Sequence, residues 1–151
     1  MAFIPADARW YLADIVQEIQ VEGDERNVVH INTTLIEASS PEEAFDLAML
    51  IGAEGEQTYD NPEGRCVRFR FRGLGDLKVI HDKLEHGAEL AYREGVGVDE
   101  AEIESLLKAK EDLAVFAPFQ AGCDHPHFSS AEIMEEIYGE RPHLRPASHE
   151  E

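Results

Sequence analysis

The stretch Arg65-Cys66-Val67-Arg68-Phe69-Arg70-Phe71-Arg72 alternates between apolar and arginine side chains. Successive side chains of a β-strand point to opposite faces, so this alternation predicts a strand with one face on a core and the other toward solvent. Looser alternation predicts two earlier strands, at residues 9–21 and 27–38. The polar, glycine-containing segment between them, residues 22–26, predicts that these two strands form an antiparallel hairpin.

The segment between the hairpin and the arginine-rich strand has the sequence features of a helix start. Ser40-Pro41-Glu42-Glu43 offers an N-cap serine, a proline at the first helical position and a glutamate three residues after the serine. An apolar stripe follows at helical spacing, formed by Ala44, Leu47, Ala48 and Ile51. We therefore expect one helix to pack on the sheet.

Beyond residue 72 the pattern is less regular. Gly73-Leu74-Gly75 interrupts the alternation, residues 77–84 are consistent with one or two helical turns, and the alternation of residues 87–93 predicts a fourth strand. Asp99, with Glu102 three residues on, predicts the start of an acidic helix with an apolar stripe at Ile103, Leu106 and Leu107. A last helix is expected from Ser129 or Ser130 to about Gly139.

These patterns predict an α+β fold, with an antiparallel sheet of about four strands in ββαββ order, one packed helix and two C-terminal helices. The predicted domain covers residues 9–140, with a core at 9–93 and a helical extension at 94–140. Residues 1–8 form a lead and residues 141–151 a polar tail. The side chains expected beneath the packed helix are Ile15, Ile31, Leu35, Phe69 and Leu90.

The composition excludes some classes of protein. Hydrophobic residues make up 43% and charged residues 30%, which is too apolar for a disordered chain and too interrupted by charge for a membrane span. Cys66 and Cys123 are the only cysteines, so no disulfide framework is indicated. The first residues lack the basic start and apolar run of a signal peptide. A cytoplasmic protein is expected.

The net charge of −19 disfavours direct nucleic-acid binding, because phosphate affinity depends on cationic side chains. Two interpretations of this charge remain open. Acidic helices and a polar tail can simply keep the protein soluble. Alternatively, the charge serves to attract a basic protein partner.

Several segments together resemble a bacterial family of domains of unknown function, the one numbered 4288. The resemblance covers about residues 9–93 and rests on the order and pattern of four segments: Trp10-Tyr11-Leu12-Ala13, residues 35–44, residues 67–74 and Gly87-Ala88-Glu89-Leu90. That family has no assigned activity, so the resemblance implies the architecture and no catalytic residues.

Polar side chains on the predicted sheet suggest a candidate binding site. Three of them share one face of the second strand, and we expect them near the arginines of the third strand; the six candidates are His30, Asn32, Thr34, Arg68, Arg70 and Arg72. Planar guanidinium groups pair well with carboxylates and phosphates, so this face could bind an anion, a ligand or a partner. The alternative is charge pairing between neighbouring strands, which needs no ligand.

The same face should also carry Trp10, Leu12 and Val16, which a solvent-facing sheet does not usually display. An exposed apolar patch is a common signature of assembly, so these residues predict a homodimer.

Cys123-Asp124-His125-Pro126-His127 is the one cluster with metal-ligand chemistry. A thiolate and two imidazoles, from Cys123, His125 and His127, are suitable ligands for zinc. The alternative is a polar loop that leads into the last helix. No nucleophile elbow or phosphate loop is present. We therefore predict a non-enzymatic protein-interaction or regulatory module without a cofactor, and keep a metal-binding protein or metal-dependent enzyme as the competing hypothesis.

Overall fold

The computed structural model describes residues 3–117 and 125–144, and within them it contains a four-stranded antiparallel sheet and three helices. This confirms the predicted mixture of α and β structure. The elements are β1 (Trp10–Val21), β2 (Val28–Glu37), α1 (Pro41–Glu54), β3 (Gln57–Asp60), β4 (Cys66–Val79), α2 (Glu100–Ser105) and α3 (Ala131–Glu140). The described residues belong to two compact units, one of residues 3–91 and 125–144 and one of residues 92–117.

The sheet has the strand order β2-β1-β4-β3, and each neighbouring pair is antiparallel. β2 and β3 are therefore its two edges. The face that carries Tyr11, Ala13 and Ile15 is called here the helix face, because these side chains form one cluster with residues of α1. The opposite face is called the open face.

α1 begins as its sequence predicts. The Ser40 hydroxyl accepts a hydrogen bond from Glu43 N at 3.1 Å, and Pro41 occupies the first turn. The buried residues of α1 are all small: Ala44, Ala48 and Gly52. A Cβ atom on Gly52 would collide with the Phe71 ring, so only glycine lets α1 approach β4 this closely.

The helix face holds two apolar clusters. The first contains buried side chains of β1, β2 and α1, with Phe71, Leu74, Leu77 and Val79 of β4 packed against it. The second lies toward the other end of β1 and contains Ile19, Val21 and Val67, with Val28, Tyr59, Phe69 and Phe128 packed around them. Burial of these side chains is the main favourable contribution to folding.

The predicted core was wrong for three of its five residues. Ile15 is buried and Phe69 is half-buried, both on the helix face. Ile31 and Leu35 are exposed because Ile31 pairs with Val16 and Leu35 with Leu12, which places both on the open face. Leu90 is also exposed.

β4 extends seven residues past the predicted strand end at Arg72, to Val79. Its register against β1 shifts twice, between Asp14 and Ile15 and between Val16 and Gln17. Each shift is a bulge that leaves one residue of β4 unpaired, and the two unpaired residues are Gly75 and Arg72. Gly73, beside the second bulge, has a φ of 132°, a conformation that favours glycine.

Two further sequence predictions were wrong. Residues 77–79 belong to β4, and the described residues 80–93 contain neither a helical turn nor a fourth strand. The remaining strand is instead β3, which has only four residues and the sequence Gln-Thr-Tyr-Asp. Such a short, polar strand lacks the apolar alternation on which sequence-based prediction depends.

The unit of residues 92–117 differs from the sheet in how little of it is buried. α2 begins with a capping box between Asp99 and Glu102, as the sequence predicts, and ends at Ser105. Every described residue of this unit is exposed, including Leu106 and Leu107, so the unit forms no closed core of its own. Within the described ranges, no helix has the length and apolarity to cross a membrane.

Candidate functional site

The open face of the sheet is organised in rows that run across three strands. One row contains Val29, Glu18 and Arg70, and the next contains Ile31, Val16 and Gly73. The following rows contain Thr33, Asp14 and Asp76, and then Leu35, Leu12 and Lys78. Directly paired residues lie on the same side of an antiparallel sheet, so these side chains share one surface.

Apolar side chains of β2 are exposed on this surface. Val29 is 54% exposed, Ile31 64% and Leu35 45%, whereas Ile36, on the helix face of the same strand, is 2% exposed. Val16 beside Ile31 is half-buried, and Gly73 continues that row without a side chain. The row of Ile31, Val16 and Gly73 is therefore an apolar strip, and its side chains become smaller from β2 to β4.

Arg70 and Arg72 of β4 border this strip, and Arg68 lies one row further along the strand. Arg68 and Arg70 pair with Gln20 and Glu18 of β1, and the unpaired bulge residue Arg72 reaches the same surface, where its Nη1 donates to Glu18 Oε1 at 3.0 Å. Arg68 and Arg70 make no ion pair or side-chain hydrogen bond with any residue in the described part of the chain. Their guanidinium groups can therefore bind an external carboxylate or phosphate.

Glu18 is the acidic centre of this surface. Asn27 Nδ2 donates to Glu18 Oε2 at 2.6 Å, while Arg72 holds Oε1. The hydrogen bond from Asn27, followed by the nearby charges of Arg72 and Arg70, holds the pKa of the Glu18 carboxyl below its ordinary value of 4.5. Glu18 thus remains ionised and orients Arg72.

The open face is close to neutral, in contrast to the chain as a whole. It carries four cationic side chains (Arg68, Arg70, Arg72 and Lys78) and five carboxylates (Asp14, Glu18, Glu37, Asp60 and Asp76). Because the whole chain has a net charge of −19, the excess of acidic residues lies elsewhere.

His30, Asn32 and Thr34 lie on the helix face, so the prediction that they share a surface with the arginines was wrong. The register pairs them with Gln17, Ile15 and Ala13 of β1. Asn32 Nδ2 donates to Gln17 Oε1 at 3.0 Å, and the His30 ring meets the Phe128 ring edge-on, with centroids 5.2 Å apart. The six candidates therefore form two groups of three on opposite sides of the sheet.

A contact at the β3 edge was not predicted from the sequence. The Tyr59 hydroxyl donates to Phe128 O, and Asn61 Nδ2 donates to His127 O at 3.0 Å. Asn61 is 3% exposed, and its Oδ1 accepts from both Glu63 N and Arg65 N. The sequence signal was the Asn61-Pro62-Glu63-Gly64 turn, since asparagine commonly bonds to the backbone two residues on.

Of the three predicted metal ligands, Cys123 lies outside the described residues. The His125 ring stacks on Phe128, with centroids 5.8 Å apart, and His127 is half-buried with its carbonyl bound to Asn61. Across residues 3–117 and 125–144, no three His, Cys, Asp or Glu side chains are close enough to hold a metal ion. In this part of the chain the two histidines take part in the contact at the β3 edge.

Comparison with known proteins gives one match. A family model described as "Domain of unknown function (DUF4288)" matches residues 10–92, which span β1 to β4 and the segment after them. No curated protein and no solved structure matches the chain.

Proposed function

We propose that this chain, which belongs to the DUF4288 family of domains of unknown function, is a non-enzymatic module that binds another protein through its open face. The observation that carries the proposal is the exposure of three apolar side chains in one stripe of β2: Val29, Ile31 and Leu35. Apolar stripes on a sheet are normally buried against another layer.

The chemistry of the surface supports a protein partner of mixed character. Apolar side chains on the partner would cover the strip formed by Ile31, Val16 and Gly73. Carboxylates of the partner would pair with Arg68 and Arg70, which have no ion pair within the described residues. An acidic, amphipathic segment fits both requirements. The basic partner that the net charge suggested would have to bind outside this face.

Site-directed photocrosslinking tests this proposal. A photoreactive phenylalanine analogue placed at Ile31 should form an adduct, in the native cell, with a protein other than a second copy of this chain. The same analogue at Leu50 should not, although Leu50 of α1 is similarly exposed, at 53%. Arg70→Glu should abolish the Ile31 adduct, because it removes the cation that pairs with the partner. Equal adducts at both positions, or an adduct that survives Arg70→Glu, would contradict the proposal.

A further inference from the structure

The β2 edge of the sheet lacks the features that usually prevent edge-to-edge pairing. β2 is ten residues long and contains no proline, glycine, lysine or arginine. Its one acidic residue is Glu37, at the very end. Natural edge strands are commonly short, bulged or marked by lysine and proline, since an unprotected edge pairs readily with another strand. This edge is therefore built to accept a strand.

We propose that β2 pairs antiparallel with β2 of a second copy, which joins two four-stranded sheets across a two-fold axis. This inference goes beyond the proposed function, because it concerns the main chain of the edge and not the side chains of the open face. It stands on hydrogen-bond direction, on register and on charge.

The direction of the free hydrogen-bonding groups follows from the contact at the end of β2. Ala38 N donates to Arg9 O at 2.9 Å, so Arg9 and Ala38 form a hydrogen-bonded pair. Hydrogen-bonded and non-hydrogen-bonded pairs alternate along an antiparallel ladder. The even-numbered residues of β2 therefore bond to β1. The odd-numbered residues point their N–H and C=O groups away from β1, and these residues are Val29, Ile31, Thr33 and Leu35.

The same residues are self-complementary in one register. With Asn32 on the two-fold axis, Val29 faces Leu35 of the second copy and Ile31 faces its Thr33. Apolar and β-branched side chains then form cross-strand pairs on the open face. The four pairs between odd-numbered residues supply about eight main-chain hydrogen bonds. A specific protein interface typically contains about ten.

Charge also limits where a second copy can bind. Two chains of net charge −19 repel each other, and the repulsion is smallest where the surfaces that meet carry no excess negative charge. In this register Glu37, at the end of one β2, lies beside the Arg26-Asn27 start of the other, so no carboxylates face each other. A register shifted by two residues would instead place Glu37 opposite Val29.

Proline substitution tests the pairing with a matched control. Thr33→Pro removes an N–H that points away from β1, so the chain should fold while the dimer is lost. On the β3 edge, Asn61 N bonds to Arg65 O, so by the same alternation Thr58 N–H points away from β4. Thr58→Pro should leave the dimer intact. Thr33→Val loses only the hydrogen bond from the Thr33 hydroxyl to Asp14, so it should also leave the dimer intact.

The readout is the molar mass in light scattering and sedimentation at micromolar concentration, with circular dichroism as the check on folding. Wild type, Thr58→Pro and Thr33→Val should be dimers. Thr33→Pro should raise the dissociation constant by roughly a hundredfold or more, because donors are lost at two symmetric places. A monomeric wild type, or a dimer that survives Thr33→Pro, would overturn the proposal. If the wild type is monomeric, the β2 edge would remain available to a strand of another protein.

A disulfide trap tests the register even if the proline variant does not fold. In a chain with Cys66 and Cys123 changed to serine, Asn32→Cys should cross-link two copies under mild oxidation. The axis places two non-hydrogen-bonded Cα atoms at about 4.5 Å, within disulfide reach. Thr33→Cys should not cross-link, since its diagonal separation is roughly 7–8 Å. Cross-linking at position 33 alone, or at neither position, would overturn the register centred on Asn32.

Discussion

The two edges of the sheet, β2 and β3, differ in length and in what lies against them. β3 has four residues, and the segment of residues 127–128 is bound to it through Tyr59 and Asn61. β2 has ten residues, and on its open face the apolar side chains are exposed. Side chains of β3 and of the turn after it thus hold residues 127–128, so we call β3 the closed edge and β2 the open edge. The closed edge gains stability from these side-chain hydrogen bonds, whereas within the described residues β2 offers a longer run of main-chain groups for association.

The largest expected effect comes from removing the buried asparagine of the closed edge. Asn61→Ala should lower the free energy of unfolding by about 2–3 kcal/mol, because Glu63 N, Arg65 N and His127 O all lose a partner. Asn32→Ala, on the open edge, is the matched control. It removes one side-chain bond to Gln17 and should cost less than about 1 kcal/mol. Urea denaturation measures both values. Equal losses would show that the two edges do not differ in this way.

A smaller effect is expected at the aromatic contact of the closed edge. Tyr59→Phe removes the hydrogen bond to Phe128 O and should cost about 1 kcal/mol. Desolvation raises the pKa of the Tyr59 phenol, which keeps it protonated as a donor. Cleavage of the segment after residue 125 by a protease should also become faster. Tyr92→Phe is the control, since Tyr92 is 70% exposed. Unchanged cleavage in Tyr59→Phe would argue against this anchoring role.

The smallest effect concerns the acid dependence of the open side. The pKa of Glu18 is lowered in the folded chain, so its contribution to stability is present above the ordinary value of 4.5 and is lost as pH falls through the lower folded value. The stability difference between wild type and Glu18→Gln should therefore shrink on acidification below about 4.5. Arg72→Gln should give a similar pattern. Thermal melting over a pH series measures this, and parallel curves would contradict it.

The parts of the fold that the sequence predicted correctly have local causes. The serine cap and proline of α1, the capping box at Asp99 and the serine cap of α3 are short-range signals, and each helix begins where these residues indicate. The clean alternation of residues 67–71 likewise lies within a strand. Such features depend on neighbours in the chain and need no tertiary information.

The sequence predictions were wrong where the pairing register between strands decides which face of a strand is buried. Both faces of β2 carry apolar side chains, Val28 and Ile36 on one and Val29, Ile31 and Leu35 on the other, so alternation alone cannot choose the buried face. A slip of one residue moves every side chain to the opposite face. The register of β2 against β1 places His30, Asn32 and Thr34 on the face opposite to the arginines. The closed edge depends on a contact between residues more than sixty positions apart, which no local pattern indicates.

The paired bulges of β4 have a consequence for insertions and deletions. Phe69 and Phe71 face the helix with odd numbers, Leu74 does so with an even number between the two bulges, and Leu77 and Val79 do so again with odd numbers. The two bulges thus cancel in parity. Loss of Gly75 or Arg72 alone would remove one bulge and leave the facing of every other residue unchanged. Loss of a paired residue of β4 would instead invert the facing of every residue on one side of the deletion. Deletions in this strand should therefore be tolerated at the two bulge residues and not at the paired residues beside them.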